Sequence, residues 1–350
     1  MTYPRTEDEI TSKWNTGVET PLVSVCCITY NHEDFIEKSL LGFLSQETEF
    51  PFEILVHDDA STDRTAEIIQ RYANEYPKII KPIFQSENQY SKLPIISPRF
   101  LFPVAKGDFI ALCEGDDYWT HPHKLKMQVE EFKKNMQVTL VHTDVGHLVS
   151  FRKKFDRLCL GVNKTFNRKA PHGEFRDRSW LTFGVYTCTI MIKKCVVDEF
   201  IASGAIESGT ASSDYAIFLF AAQRGRIAYL DETTAIYREH KNSVINSNRR
   251  NFINFAIGTK RFLEFSLDYF QADEELHVKV LKKANEEIYY STLHAGKFSD
   301  LQRFDVRNSV TLWRFLFLAF CKISHYQTAY GWKLSWKRKA KILLYYKAPN

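Results

Sequence analysis

No apolar run in the 350-residue chain approaches the roughly 20 residues that a helix needs to span a bilayer. The strongly apolar segment 312–323 is far too short and carries Arg314. The opening MTYPRTEDEITSKWNTG lacks the apolar centre of a signal peptide, so no cleaved leader is expected. Cysteine is scarce and unpaired in pattern. The seven are Cys26, Cys27, Cys113, Cys159, Cys188, Cys195 and Cys321. No CxxC spacing occurs and several lie in apolar runs, which points to buried free thiols in a reducing compartment. The turn after the first apolar run, TYNHEDF (29–35), has no glycine-rich loop to cradle a pyrophosphate, and there is neither a Walker loop nor a GxSxG elbow. Repeats and low-complexity segments are also missing. The formal net charge of +5 is modest and gives no reason to expect a nucleic-acid partner.

What is present is a regular alternation of periods. LVSVCCIT (22–29), EILVHDD (53–59), IIKPIFQ (79–85) and FIALCEGDD (109–117) read as buried strands. Between them, 34–46 and 61–76 carry apolar residues at helical spacing, and 97–107 starts near Pro98 and stops at Gly107. This βαβαβαβ order predicts an α/β fold with a doubly wound, mostly parallel sheet and a ligand crevice at the C-terminal strand ends. A helix over 123–135 and a strand over 139–145 follow. Strands are expected at 186–194 and 225–240, with a helix at 212–225 between them. The basic, irregular stretch 150–180 reads as an excursion over the site. From about 249 long helical patterns take over. The tail interleaves Trp332, Trp336, Leu343, Leu344 and Tyr345 with six basic residues and no acid, a mixture suited to an anionic membrane surface or to packing on the domain.

Three acidic groups stand at the ends of apolar runs or the head of a helix: Asp58–Asp59, Glu114/Asp116/Asp117 and Asp214. Strand ends of one parallel sheet share a rim, so the first two groups can converge. Carboxylates that close repel one another unless a cation or a polar ligand sits among them. Oxygen ligands of this kind suit Mg²⁺ or Mn²⁺, ions that often neutralise substrate phosphates. The blander readings are a turn and helix cap at Asp58–Asp59, a capping role for Asp214, and a structural role for His240.

Three segments together resemble the family 2 glycosyltransferases of the GT-A fold. VSVCCITYNHEDFIEKSLLGFLSQ is similar to their first strand and helix. EILVHDDASTDRTAEII resembles their strand ending in an Asp-Asp-Gly-Ser turn, with Ala60 in place of the glycine. GDFIALCEGDDYWTHPHKLKMQV resembles their metal-binding segment, with a Glu opening the Asp-x-Asp pattern. The resemblance covers about 21–240. It implies a GT-A catalytic domain over 21–245, divided into a nucleotide-binding half (21–120) and an acceptor half (121–245). A polar N-terminal extension (1–20) would precede it and a helical C-terminal region with a basic amphipathic tail (246–350) would follow.

Carried onto this chain, the resemblance assigns Thr29, Tyr30, Asn31, Asp58, Asp59, Arg99, Glu114 and Asp116 to the nucleotide sugar. It assigns Asp116, Asp117 and His240 to Mn²⁺ or Mg²⁺, with Asp116 and Asp117 the preferred ligands and Glu114 available to the ribose. Asp214 is the expected general base, at a helix start where Ser213 replaces the usual Glu. The implied reaction is inverting and non-processive: one sugar passes from a UDP- or dTDP-sugar to a hydroxyl of a glycan acceptor. That acceptor is expected to be lipid-linked, in bacterial O-antigen or capsule synthesis. The enzyme would be cytoplasmic and peripheral on the inner face of the membrane, held through residues 331–350. The rival readings are transfer to a protein or soluble glycan, or a binding scaffold without catalysis.

Overall fold

The structure, a computed structural model, describes residues 5–294 apart from 16, 18–19, 93–94, 150–156, 160–178, 181–184, 210–211 and 241–251. Most of the expected excursion over 150–180 and all of the basic tail therefore lie outside the described residues.

Strand β1 (Val23–Thr29) is the axis of the molecule. It runs parallel to β2 (Phe52–Asp58) on one side and to β4 (Phe109–Leu112) on the other, and β3 (Ile80–Phe84) extends the parallel set beyond β2. The full order is β3-β2-β1-β4-β8-β6-β9-β5, with β7 (Arg157–Cys159) alongside β6. Beyond β4 the sense changes. β8 (Met191–Lys193) is antiparallel to both β4 and β6 (Val138–Val149), and β5 (Tyr118–Trp119) is antiparallel to β9 (Arg226–Glu239). The long parallel β6–β9 ladder keeps most paired residues in parallel ladders. β1 and β2 are buried on both faces, as a sheet covered by helices on each side requires.

One face is covered by α2 (Ile36–Leu44), α3 (Thr65–Glu75) and α5 (Lys124–Lys134), whose Leu40, Phe43, Ile69, Leu125 and Phe132 enter one core. The other carries α6 (Lys194–Ala202), α7 (Ser213–Arg224), α8 (Phe252–Tyr269) and α9 (Glu274–His294), with Phe200, Phe218, Phe220, Phe262 and Val280 in the second core. The C-terminal helices thus share a core with α7. The N-terminal extension is also built in. Helix α1 (Glu7–Thr11) has a Thr6/Glu9 capping box and buries Ile10, while Arg5 donates to the carbonyls of Leu44 and Gln46.

Three sequence expectations are corrected by the structure. The fourth strand stops at Leu112, so the EGDD segment is a turn rather than strand. Residues Thr187–Thr189, expected as strand, form a 3₁₀ turn. Its carbonyls are taken by buried donors: Trp119 Nε1 to Cys188 (2.9 Å), Gln128 Nε2 to Thr189 (2.9 Å) and Lys124 Nζ to Thr189 (3.1 Å). A helix at 97–107 is reduced to α4 (Ser97–Phe100) and a 3₁₀ turn over Phe102–Val104. Among the described residues no helix is long and apolar enough to cross a membrane.

Candidate active site

The EGDD turn sits directly on the end of β1. Gly115 donates to the carbonyl of Ile28 (2.9 Å), and a Cβ there would meet the Thr29 side chain at 2.7 Å, so only glycine permits this approach. Ser39 of α2 donates to the carbonyls of Gly115 (2.9 Å) and Asp117, pinning the turn from below. The neighbouring turns after β1 and β2 are stitched together: Asn31 Oδ1 accepts from Thr62 N–H (2.7 Å), His32 N–H donates to Thr65 Oγ1 (2.8 Å), and Glu33 accepts from Arg64 N–H (3.1 Å).

This scaffold brings three ligating side chains together. His240 Nε2 lies 3.0 Å and His32 Nε2 3.8 Å from the same oxygen of Asp116, and one donor atom from each residue falls within 4.8 Å of the others. Burial opposes the charge of Asp116, but the His240 hydrogen bond and the nearby His32 outweigh it and hold the carboxyl below its usual range. Burial pulls His32 down, which keeps its imidazole in the neutral, ligating form. Two imidazoles and one ionised carboxylate, converging and half-buried, are a donor set that can hold a divalent cation. Phe35 packs on His240 at 4.6 Å. The Arg238 guanidinium lies between Phe35 (5.1 Å) and Tyr118 (4.4 Å), bringing a buried cation beside the acids.

The other acids have distinct places. Asp117 does not join the metal group. It is buried, accepts from Arg238 N–H (2.8 Å), and is pushed well up by burial and then by the charges of Asp116 and Glu114. Among the described residues the converging group is thus His32, Asp116 and His240, without Asp117. Burial, with Asp116 and Asp214 nearby, pushes Glu114 up to about 8, and the nearby Thr187 side chain offsets this only in part. The same Thr187 hydroxyl lies 3.4 Å from Asp214 Oδ2. Asp214, in the first turn of α7, also accepts from its own helix start, through the Ser212 hydroxyl and Tyr215 N–H (2.9 Å). Thr187 thus reaches the carboxylate expected to act as base.

On the nucleotide side, several of the expected residues make hydrogen bonds within the protein. Asp58 is buried and accepts from the backbone and hydroxyl of Ser61 (3.1 and 2.5 Å), the arrangement of a turn. Asp59 accepts from Gln89 N–H (2.7 Å) and Tyr90 N–H (2.9 Å), so its carboxylate builds the loop after β3. Asn31 serves the turn–turn junction, Thr29 is buried under Gly115, and Tyr30 stands exposed at the strand end. Arg99 closes α4 with Nε buried and unbonded, and makes no ion pair among the described residues. Sequence reasoning missed His32, Thr187 and Arg238. His32 lies in the TYNHEDF turn and Arg238 in the strand expected over 225–240, but their partners Asp116 and Asp117 come from the EGDD turn, distant in sequence.

The profile of glycosyl transferase family 2 matches residues 24–200. The chain belongs to that family. Its sheet and flanking helices are the GT-A architecture, and the His32/Asp116/His240 group suits the active site of a metal-dependent family 2 enzyme. The Mycobacterium tuberculosis protein Rv1520 is 31% identical over 244 residues, which cover 66% of this chain and 63% of that one. The match therefore spans less than two thirds of that relative. The Shigella flexneri dTDP-rhamnosyl transferase RfbG is 27% identical over 227 residues, 63% of this chain and 73% of RfbG. The crystal structure of S. aureus TarS 1–349 in complex with UDP-GlcNAc superposes with a TM-score of 0.50 at 16% identity, covering 82% of this chain and 89% of that one. That likeness is one of fold.

Proposed function

We propose that this family 2 member transfers a single sugar, with inversion, from a UDP- or dTDP-sugar to a hydroxyl of a lipid-linked glycan in bacterial surface-polysaccharide synthesis. The observation that carries the reading is the pairing of two unlike carboxylates around one turn. Asp116 is held ionised between His32 and His240, while Asp214 stands at a helix N-terminus beyond the Thr187 hydroxyl. Inversion needs one base and no covalent intermediate. Asp214 takes the proton of the attacking acceptor hydroxyl. His32, Asp116 and His240 would hold a divalent cation, which when bound supplies neutralising charge for the diphosphate leaving group. The mixed imidazole and carboxylate set suits Mn²⁺ better than Mg²⁺, which favours oxygen ligands. The dTDP-sugar named for RfbG and the UDP-sugar in the TarS crystal support the donor class. The basic tail, 331–350, would carry the contact with an anionic inner-membrane surface.

The test is transfer from UDP- and dTDP-sugars to polyprenyl-linked glycans with Mn²⁺. EDTA and Asp116→Asn are expected to abolish product. Asp214→Asn is expected to lower transfer roughly 10²- to 10⁴-fold while nucleotide binding persists. Normal transfer by Asp214→Asn overturns the base assignment, and failure of the intact chain to bind any nucleotide sugar overturns the donor reading. Loss of anionic-vesicle binding on deleting 331–350 is the expected result for the tail.

A further inference from the structure

Next to the acidic turn, three rings on three segments form a cluster that the chemistry above does not use. The β6–β9 register sets His147 opposite Tyr237. Their ring centroids are 5.3 Å apart, Tyr186 lies 4.9 Å from Tyr237 and 6.2 Å from His147, and the planes are inclined to one another by 51° to 59°. His147 Nε2 lies 3.1 Å from Glu239 Oε2, and these two side chains are 23% and 26% exposed. Both tyrosines are half-buried. Neither phenol makes a hydrogen bond among the described residues, and neither oxygen is sealed from solvent, so both can meet a ligand. Tyr186 directly precedes Thr187, whose hydroxyl reaches Asp214. Tyr237 is three residues before His240, and after burial the chief influences raising its phenol are the charges of Asp117, Asp116 and Glu114.

We infer that Tyr186, Tyr237 and His147 form a stacking platform for a neutral sugar ring of the acceptor, with Glu239 accepting its hydroxyls. This rests on the transferase reading above. A pyranose presents an apolar C–H face and a rim of hydroxyls. Inclined aromatic rings match the face, while a carboxylate and two unbonded phenols match the rim. The Glu239 carboxylate in the platform disfavours an acidic sugar by like-charge repulsion. Tyr186 of the platform directly precedes Thr187, whose hydroxyl reaches the carboxylate that would take the proton.

Saturation-transfer NMR on the full chain with UDP and Mn²⁺ tests this. The probes are methyl glycosides of glucose, galactose, N-acetylglucosamine and rhamnose, with methyl glucuronide as the acidic comparison. At least one neutral glycoside is expected to receive saturation from the aromatic protons, and glucuronide much less. Tyr237→Ala is expected to weaken that glycoside about tenfold and Tyr237→Phe far less. Glu239→Gln, which leaves the rings in place, is expected to weaken neutral glycosides and to lessen the discrimination against glucuronide. UDP binding, followed by calorimetry on the same samples, is expected to be unchanged. No neutral glycoside binding to the intact chain, or equal binding to Tyr237→Ala and Glu239→Gln, overturns the platform. If UDP binds normally in that event, the donor reading survives. Failure of UDP to bind the intact chain overturns the donor reading instead.

Discussion

The Thr187 hydroxyl lies 3.4 Å from Asp214 Oδ2, so one small side chain ties the 3₁₀ turn before β8 to the start of α7. Thr187→Val keeps the shape and removes that tie. Losing a hydrogen bond to a charged group predicts a roughly 10- to 100-fold fall in transfer rate, with nucleotide affinity little changed. Steady-state kinetics beside UDP calorimetry separates the two. A matching fall in UDP affinity would contradict a role confined to Asp214.

His32 faces the same Asp116 oxygen as His240. His32→Ala is expected to weaken Mn²⁺ binding at least about tenfold, since even groups that only support a metal ligand have effects of that size. Mn²⁺ titration followed by electron paramagnetic resonance, with UDP present, measures it. Asp117→Asn is expected to leave Mn²⁺ affinity nearly unchanged, because Asp117 bonds Arg238 N–H instead.

Lys124 is buried, with Nζ bonded to Gln128 Oε1 (3.0 Å) and the Thr189 carbonyl (3.1 Å), and burial pushes it down from 10.5 to about 7. Between those values the unfolded chain binds more protons than the folded one. Stability therefore rises with pH through this window. The contribution is full above about 10.5 and is lost as pH falls to about 7. Lys124→Met removes the dependence. Urea denaturation at pH 7 and pH 10 is expected to show the wild type gaining on Lys124→Met at the higher pH.

Ala60 has φ of 60°, the left-handed region that the family's glycine adopts freely. Ala60→Gly is expected to stabilise the protein by about 1 kcal/mol, the left-handed penalty of alanine offset in part by the entropy glycine loses. The urea midpoint is the readout, and a lower midpoint would show that the turn does not strain alanine.

The first four strands, with α2 and α3, were legible in the sequence because buried parallel strands are continuous apolar runs and the helices switch period cleanly. Helix α6 was not. KCVVDEFIA follows β8 without a capping side chain or a breaker, so no local signal marks its start. The turn at Thr187–Thr189 reads locally as β-branched strand. Its shape comes from Trp119, Lys124 and Gln128, which are distant in sequence. Within the site, Asp116, Glu114, Asp214 and His240 were legible from motif position. His32 was not, because it sits in a local turn and its chemical partners, Asp116 and His240, are distant in sequence. Asp58 and Asp59 were legible as acids at a strand end, but their hydrogen bonds to Ser61, Gln89 and Tyr90 depend on loops that no short pattern encodes.

The long β6–β9 ladder also sets the order in which the site can be assembled. His240 reaches Asp116 across 124 residues of chain and Arg238 reaches Asp117 across 121. Contacts of such separation must overcome loop-closure entropy before they return any stabilisation, so they form late. Helices and the local βα turns can be in place while the cation group is still open. Capture of Mn²⁺ during refolding is therefore a clock for the final closure of the molecule, and it will lag behind the recovery of helical signal.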